Sequence, residues 1–205
     1  GSVHGFSNVI DDMIDNIIKA CVKSPTPENL LIRQVDFSTQ YKNGLNEVHG
    51  FTTLKLIPPR KRASCNGGTP LFDATYTAIE ASLTYAEDRL IKNGYTANGV
   101  VFIVTDGDDT GSANSPKMIK ARMEDAIKGE RIESLQSFLI GVNDQSCKAY
   151  LDKFAKEANL TDFISCGDVT PGKLAHLAAW VSKSISSQAQ ARGSGGPSQP
   201  IQLTI

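Results

Sequence analysis

The sequence has little of what zinc, haem or nucleic-acid sites are usually made from. Histidine occurs three times, at His4, His49 and His176, which excludes a histidine-rich metal centre. The four cysteines, Cys21, Cys65, Cys147 and Cys166, are scattered and include no C-x-x-C pair. Such spacing specifies neither a zinc framework nor a small disulfide scaffold, and reduced thiols in a cytoplasmic protein are the expectation. An excess charge of either sign is also missing. Lys and Arg number 21 against 22 Asp and Glu, a formal charge of -1. That balance offers nothing for neutralising nucleic-acid phosphates and no basic tail for an anionic membrane. No apolar run nears the roughly 20 residues of a membrane span, and no signal-peptide pattern opens the sequence. A Walker loop, a G-x-S-x-G elbow and a dinucleotide G-x-G-x-x-G are all absent.

What is present is an ordinary globular composition: 205 residues, 40% hydrophobic and 21% charged. A chain of this size can bury one sizeable core. Its apolar spacing switches between a helical period and short β-like runs. Residues 6–23 place Phe6, Val9, Ile10, Met13, Ile14, Ile17, Ile18 and Cys21 on one helical face, with Asp11, Asp12 and Asp15 on the solvated one. Leu30 to Phe37 and the stretch near Val48–Ile57 read as strands joined by an Asn43-Gly44 hairpin turn. After Asn66-Gly67-Gly68, Thr69 is placed to cap a helix and Pro70 suits its first turn. Leu71, Ala74, Ala78, Ala81 and Tyr85 mark that helix's stripe, and it ends near Asn93-Gly94.

Val100 to Val104 is a continuous apolar run, as in a strand covered on both faces. A helix from Ser115-Pro116 with Ile119, Met123 and Ile127, a strand at Leu135–Val142, and a helix carrying Cys147, Tyr150, Leu151, Phe154 and Ala158 follow. A short strand at Asp162–Ser165 precedes a last helix from Thr170-Pro171, with Leu174, Leu177, Ala178, Val181 and Ile185 inward. The alternation implies an α/β fold, a mostly parallel sheet with one antiparallel edge strand and helices on both faces. Residues 191–198 have a linker's Gly/Ser composition, and Pro200 to Ile205 alternates like a strand.

In such sheets ligands bind beyond the carboxyl ends of the strands. The Gly67-Gly68-Thr69 loop and the Thr105-Asp106-Gly107 turn meet at that edge. A hydroxyl and a carboxylate there are hard oxygen donors of the kind that suit Mg²⁺. Each residue also has a structural use, Thr69 as a cap and Asp106 in its turn.

The phrases Gly68-Thr69-Pro70-Leu71-Phe72-Asp73-Ala74 and Phe102-Ile103-Val104-Thr105-Asp106-Gly107 resemble two segments of von Willebrand factor A domains. The ending from Phe163-Ile164-Ser165 through Trp180 to Ser186 is similar to bacterial members of the tellurite-resistance TerY type. The resemblance implies a three-layer Rossmann-like fold and a metal-ion-dependent adhesion site. That site takes an Asp-x-Ser-x-Ser loop, a Thr and an Asp; the last two match Thr69 and Asp106. No Asp-x-Ser-x-Ser occurs in this sequence. Gly1-Ser2-Val3 resembles the tail of such a loop, which makes Ser2 the third matched ligand, and residues 200–205 resemble the strand that precedes it. A circular permutation is therefore expected: a domain over residues 1–191, a linker over 192–199, and a strand over 200–205 that completes the same sheet, or a neighbouring copy's sheet in a strand-swapped dimer.

Ser2, Thr69 and Asp106 supply one carboxylate and two hydroxyls, so Mg²⁺ is expected to bind weakly or not at all. The resemblance implies a non-enzymatic module that captures another protein's acidic residue, with no nucleic acid or membrane involved. The alternative is a Mg²⁺-dependent phosphoryl-transfer or nuclease-like enzyme that uses the Asp106, Asp108 and Asp109 carboxylates.

Overall fold

A computed structural model describes residues 7–24, 26–59, 67–129, 132–168, 170, 172–173, 175–177, 179–181 and 183. Ser2 and residues 200–205 lie outside this set, and with them the expected permuted strand. Two compact units are assigned: Gly1–Asp36 with Glu47–Cys65 and Val169–Ile205, and Phe37–Asn46 with Asn66–Asp168.

The first unit contains helix α1 (Ser7–Val22) and most of the strands β1 (Leu31–Phe37) and β2 (Leu45–Thr53), which form a two-stranded antiparallel sheet. Asn43 and Gly44 both take left-handed backbone angles, φ 60° and 75°. The Asn-Gly pair reverses the chain for this reason. The strand expected to reach Ile57 stops at Thr53, where a tight turn over Leu54–Leu56 buries Leu54. Met13 and Cys21 are buried on α1, and Leu177, Trp180 and Val181 are buried in the helical residues after 171.

The second unit carries helix α2 (Leu71–Tyr85) ahead of strand β3 (Asn98–Thr105), then helix α3 (Pro116–Lys128), strand β4 (Ser134–Gly141), helix α4 (Lys148–Glu157) and strand β5 (Asp162–Ser165). β3 runs parallel to β4, from Asn98 opposite Ser134 to Thr105 opposite Gly141. β5 joins the far side of β4 in parallel, with Ser165 opposite Gly141. Parallel neighbours need a crossover, and α3 and α4 provide it. Thr105, Gly141 and Ser165 therefore form one row at the carboxyl edge, and the loops after them leave from that edge. The fold is thus mixed α/β. The single sheet expected from the sequence is, among the described residues, a three-stranded parallel sheet and a separate two-stranded one.

Two helical faces differ from expectation. On α2 the buried positions are Leu71, Ala74, Thr75, Ile79 and Leu83, while Ala78, Ala81 and Tyr85 are half-buried. Ile79 and Leu83 carry more apolar area than the alanines, and burying them sets the rotation of the helix. Thr75 joins them because its hydroxyl donates to the Leu71 carbonyl at 2.8 Å. On α3, Ile119, Met123 and Ala126 are buried, whereas Ile127 is 62% exposed. The α4 stripe matches expectation: Cys147, Leu151, Phe154 and Ala158 are buried and Tyr150 is half-buried. No helix among the described residues is long and apolar enough to cross a membrane.

Candidate functional site

Three segments of the second unit are stitched together at the carboxyl edge. The first stitch joins residues 38–40 to the glycine loop: the Gly68 N–H donates to Thr39 Oγ1 at 2.7 Å, and the Thr39 N–H donates to the Gly68 carbonyl at 3.1 Å. The second joins the glycine loop to the loop after β3. Here the Thr69 N–H donates to Thr110 Oγ1 at 2.6 Å, and the Thr110 N–H returns to the Thr69 carbonyl at 2.8 Å. Approach this close requires glycine at 68, since a Cβ there would lie 2.6 Å from Thr110 Oγ1.

Thr69 does not cap α2 with its side chain, contrary to its placement in the sequence; the residue before the helix is Pro70, and no side-chain cap is made there. The open N–H groups of a first turn need partners, and they find them on the other loop. The Phe72 N–H donates to Asp109 Oδ1 at 3.0 Å, and the Asp73 N–H donates to Ser112 Oγ at 3.1 Å. The Ser112 hydroxyl in turn donates to Asp109 Oδ1. Asp73 returns the contact by accepting the Asn114 N–H and amide at 2.7 Å each, and the Ala113 N–H at 3.0 Å.

Asp73 and Asp109 are therefore consumed by structure, and what is left over is informative. Among the described residues, neither the Thr69 hydroxyl nor the Asp106 and Asp108 carboxylates make a side-chain hydrogen bond or ion pair. Asp106 sits half-buried at the end of β3, and its carbonyl accepts the Cys147 thiol at 3.7 Å. Burial pushes the Cys147 thiol above its ordinary pKa, and the negative charges of Asp108, Asp144 and Asp106 push it in the same direction. The thiol is thereby kept protonated, which argues against a nucleophilic cysteine. Tyr150 is raised by burial and by Asp109, although the Asp109 N–H opposes this. Asp144, fully buried, accepts the Gly167 N–H at 2.9 Å through Oδ1 and thereby ties the loop after β4 to the loop after β5.

Chemically these groups are hard oxygen donors on adjoining loops, the donor type that a small divalent cation takes. Among the described residues no three His, Cys, Asp or Glu side chains are grouped to hold a metal. A cation here would lean on hydroxyls and water as well as carboxylate. The structure brings the Thr69 and Asp106 loops together; Ser2 lies outside the described residues. Sequence reading missed Thr39, Thr110 and Ser112, which are ordinary loop residues with no local signal.

Burial would raise the Asp73 carboxyl, but the N–H groups of Asn114 and Ala113 and the Asn114 amide outweigh it, so its pKa is lowered. With the folded value below the unfolded one of about 3.9, the clamp stabilises fully above that pH and is lost as pH falls through the folded value. The Ala113 and Asn114 amide resonances are expected to stay fixed from neutral pH down to about pH 4 and to move below it. In Asp73→Asn that acid transition should vanish; an identical transition in the variant would contradict the assignment.

No family model matches the chain, and no curated protein matches it.

Proposed function

We propose that the chain is a non-enzymatic protein-binding module of von Willebrand factor A type, of the bacterial TerY-like kind. In this reading the fold is three-layered, with residues 1–191 and the strand 200–205 sharing one sheet. Thr69 and Asp106, with Ser2, would be what this chain keeps of a Mg²⁺ adhesion site that lacks its Asp-x-Ser, so the ion would be held weakly or not at all, and where held it would complete its shell with an acidic residue of the partner. The observation that carries the reading is the division of labour at the carboxyl edge. Asp73 and Asp109 are tied into loop structure, while the Thr69 hydroxyl and Asp106 carboxylate have no partner among the described residues. The enzyme alternative needs Asp109 as a free metal ligand, and Asp109 is already accepting from Phe72 and Ser112. It also needs a general base, for which the loops offer no histidine.

Turnover distinguishes the two. With Mg²⁺ or Mn²⁺ present, the chain is expected to hydrolyse neither p-nitrophenyl phosphate nor DNA or RNA. Glutarate, a simple stand-in for a partner carboxylate, is expected to shift the Thr69 and Asp106 resonances only when the cation is present. Turnover that Asp106→Ala abolishes would overturn the binding-module reading.

A further inference from the structure

We infer that Asn43 is a site of spontaneous covalent modification, deamidated ahead of the other Asn-Gly pairs in the described residues and converted in part to isoaspartate. Asn-Gly occurs four times, at Asn43, Asn66, Asn93 and Asn98; Asn66 lies outside the described residues. The reaction needs no enzyme. The backbone nitrogen of the following residue loses its proton and attacks the side-chain Cγ; a new N–C bond forms, the bond to the side-chain nitrogen breaks, and ammonia leaves. Water then opens the cyclic imide at either carbonyl. One product is aspartate, the other isoaspartate, whose main chain runs through the former side-chain carboxyl. Glycine leaves the attacking nitrogen open, since it has no Cβ. What differs between the pairs is how firmly each asparagine is held. The attacking nitrogens of Gly44 and Gly94 are bonded alike, each at 2.9 Å, to the carbonyls of Tyr41 and Ile91. The side chains are not alike. Asn93 donates its amide to the Arg89 carbonyl at 3.0 Å. Asn98 sits in β3 opposite Ser134, whose hydroxyl donates to its Oδ1 at 2.8 Å. Asn43 is exposed, and its side chain makes no hydrogen bond among the described residues. Its backbone also lies in the left-handed region, at φ 60° and ψ 22°, a strain that rotation toward attack relieves. Asn143 and Asn159 share a positive φ, but Asp144 and Leu160 follow them in place of glycine.

The turn that holds Asn43 is joined to the carboxyl edge. Gly44 takes the Ser38 N–H on its carbonyl at 2.9 Å and gives its own N–H to Tyr41. Beside Ser38, Thr39 exchanges two hydrogen bonds with Gly68. Gly44 itself lies close to Pro70, whose Cγ would be 3.0 Å from an added Cβ. Isoaspartate puts an extra carbon into the main chain and so lengthens the turn from Tyr41 to Gly44. The Gly44 N–H and carbonyl then keep both partners only if residues 38–40 move. Thr39 carries that displacement to Gly68, and so to the loop that bears Thr69. Aspartate leaves the main chain as it was and adds only a charge at an exposed position. The two products of one reaction therefore differ in reach, whether or not a cation binds.

The test ages the full chain in mildly alkaline buffer, folded and in urea. Peptide mass mapping follows each Asn-Gly pair, and an isoaspartate methyltransferase marks the isoaspartate. In the folded chain Asn43 is expected to convert faster than Asn93 and Asn98 by about tenfold, the factor that one side-chain hydrogen bond supplies at the upper end of its worth. In urea, where such bonds do not persist, the advantage should largely disappear. Equal rates in the folded chain, which conversion through global unfolding would also give, overturn the inference. So does Asn93 or Asn98 ahead of Asn43. Asn43→Gly keeps the positive φ without strain, and it should remove the mark from this peptide while the chain stays folded. The reach of the change is read from amide resonances. The fraction modified to isoaspartate at Asn43 alone, isolated by ion exchange, is expected to shift Thr39 and Gly68, and Asn43→Asp to leave them in place. Thr39 and Gly68 unmoved in the isoaspartate form, or moved equally in Asn43→Asp, would overturn the link to the carboxyl edge.

Discussion

Leu139→Ala is expected to lower the unfolding free energy by about 2–5 kcal/mol, the cost typical of truncating a buried leucine. Leu139 is fully buried at the middle of β4, opposite Ile103 on one side and Phe163 on the other. It belongs to the cluster that includes Leu71, Ile79, Ile119, Leu151 and Phe154. Neighbours on both flanking strands and on α2, α3 and α4 limit how far the site can collapse into the space left behind, so the cavity term adds to the lost transfer energy. In urea the midpoint should fall with little change in slope. A loss under about 1 kcal/mol would mean that β4 does not lie at the centre of this sheet.

Gly67→Ala is expected to destabilise by about 1–3 kcal/mol, a large effect for adding one methyl group to a loop. Gly67 has φ 87°, a left-handed conformation that a side chain disfavours. Space is short as well. A Cβ would lie 2.8 Å from Gln40 Cγ and 2.9 Å from both Ser38 Oγ and Thr39 Oγ1. Thr39 is the residue that holds Gly68, so the strain would pass directly to the segment that carries Thr69. Urea unfolding of the variant checks the stability, and the Thr69 amide shift checks the transmission. Gly94→Ala is the control: it also sits at positive φ, 81°, but nothing lies within 4 Å of its added Cβ. Equal losses in the two variants would show that steric crowding at residue 67 contributes nothing.

The sequence made some of this legible because some signals are local. The helical stripe of α4, the four residues of β5 and the Asn43-Gly44 reversal each depend on neighbours within a turn or two, and all appear where the pattern puts them. The rotation of α2 and the exposure of Ile127 were not legible, because periodicity alone does not say which of two adjoining apolar positions a neighbouring element covers. The capping of α2 was hidden for a different reason. Its partners, Asp109 and Ser112, lie 37 and 39 residues away from the N–H groups they satisfy. A Thr just ahead of a Pro reads as a local cap, yet here the cap comes from another loop, and the Thr69 hydroxyl makes no side-chain hydrogen bond among the described residues. Asp73, Asp106, Asp108 and Asp109 read alike as acidic loop residues; only the hydrogen bonds of Asp73 and Asp109 separate that pair from Asp106 and Asp108, whose carboxylates make none among the described residues.

A Mg²⁺ titration by calorimetry tests the central claim most directly, comparing the chain as it stands with the chain carrying Asp-Gly-Ser ahead of Gly1, and with Asp106→Ala in each. The added carboxylate and hydroxyl should tighten Mg²⁺ by at least about tenfold, and Asp106→Ala should remove the gain. Equal affinity in all four proteins would show that the Thr69 and Asp106 loops are not where a cation binds.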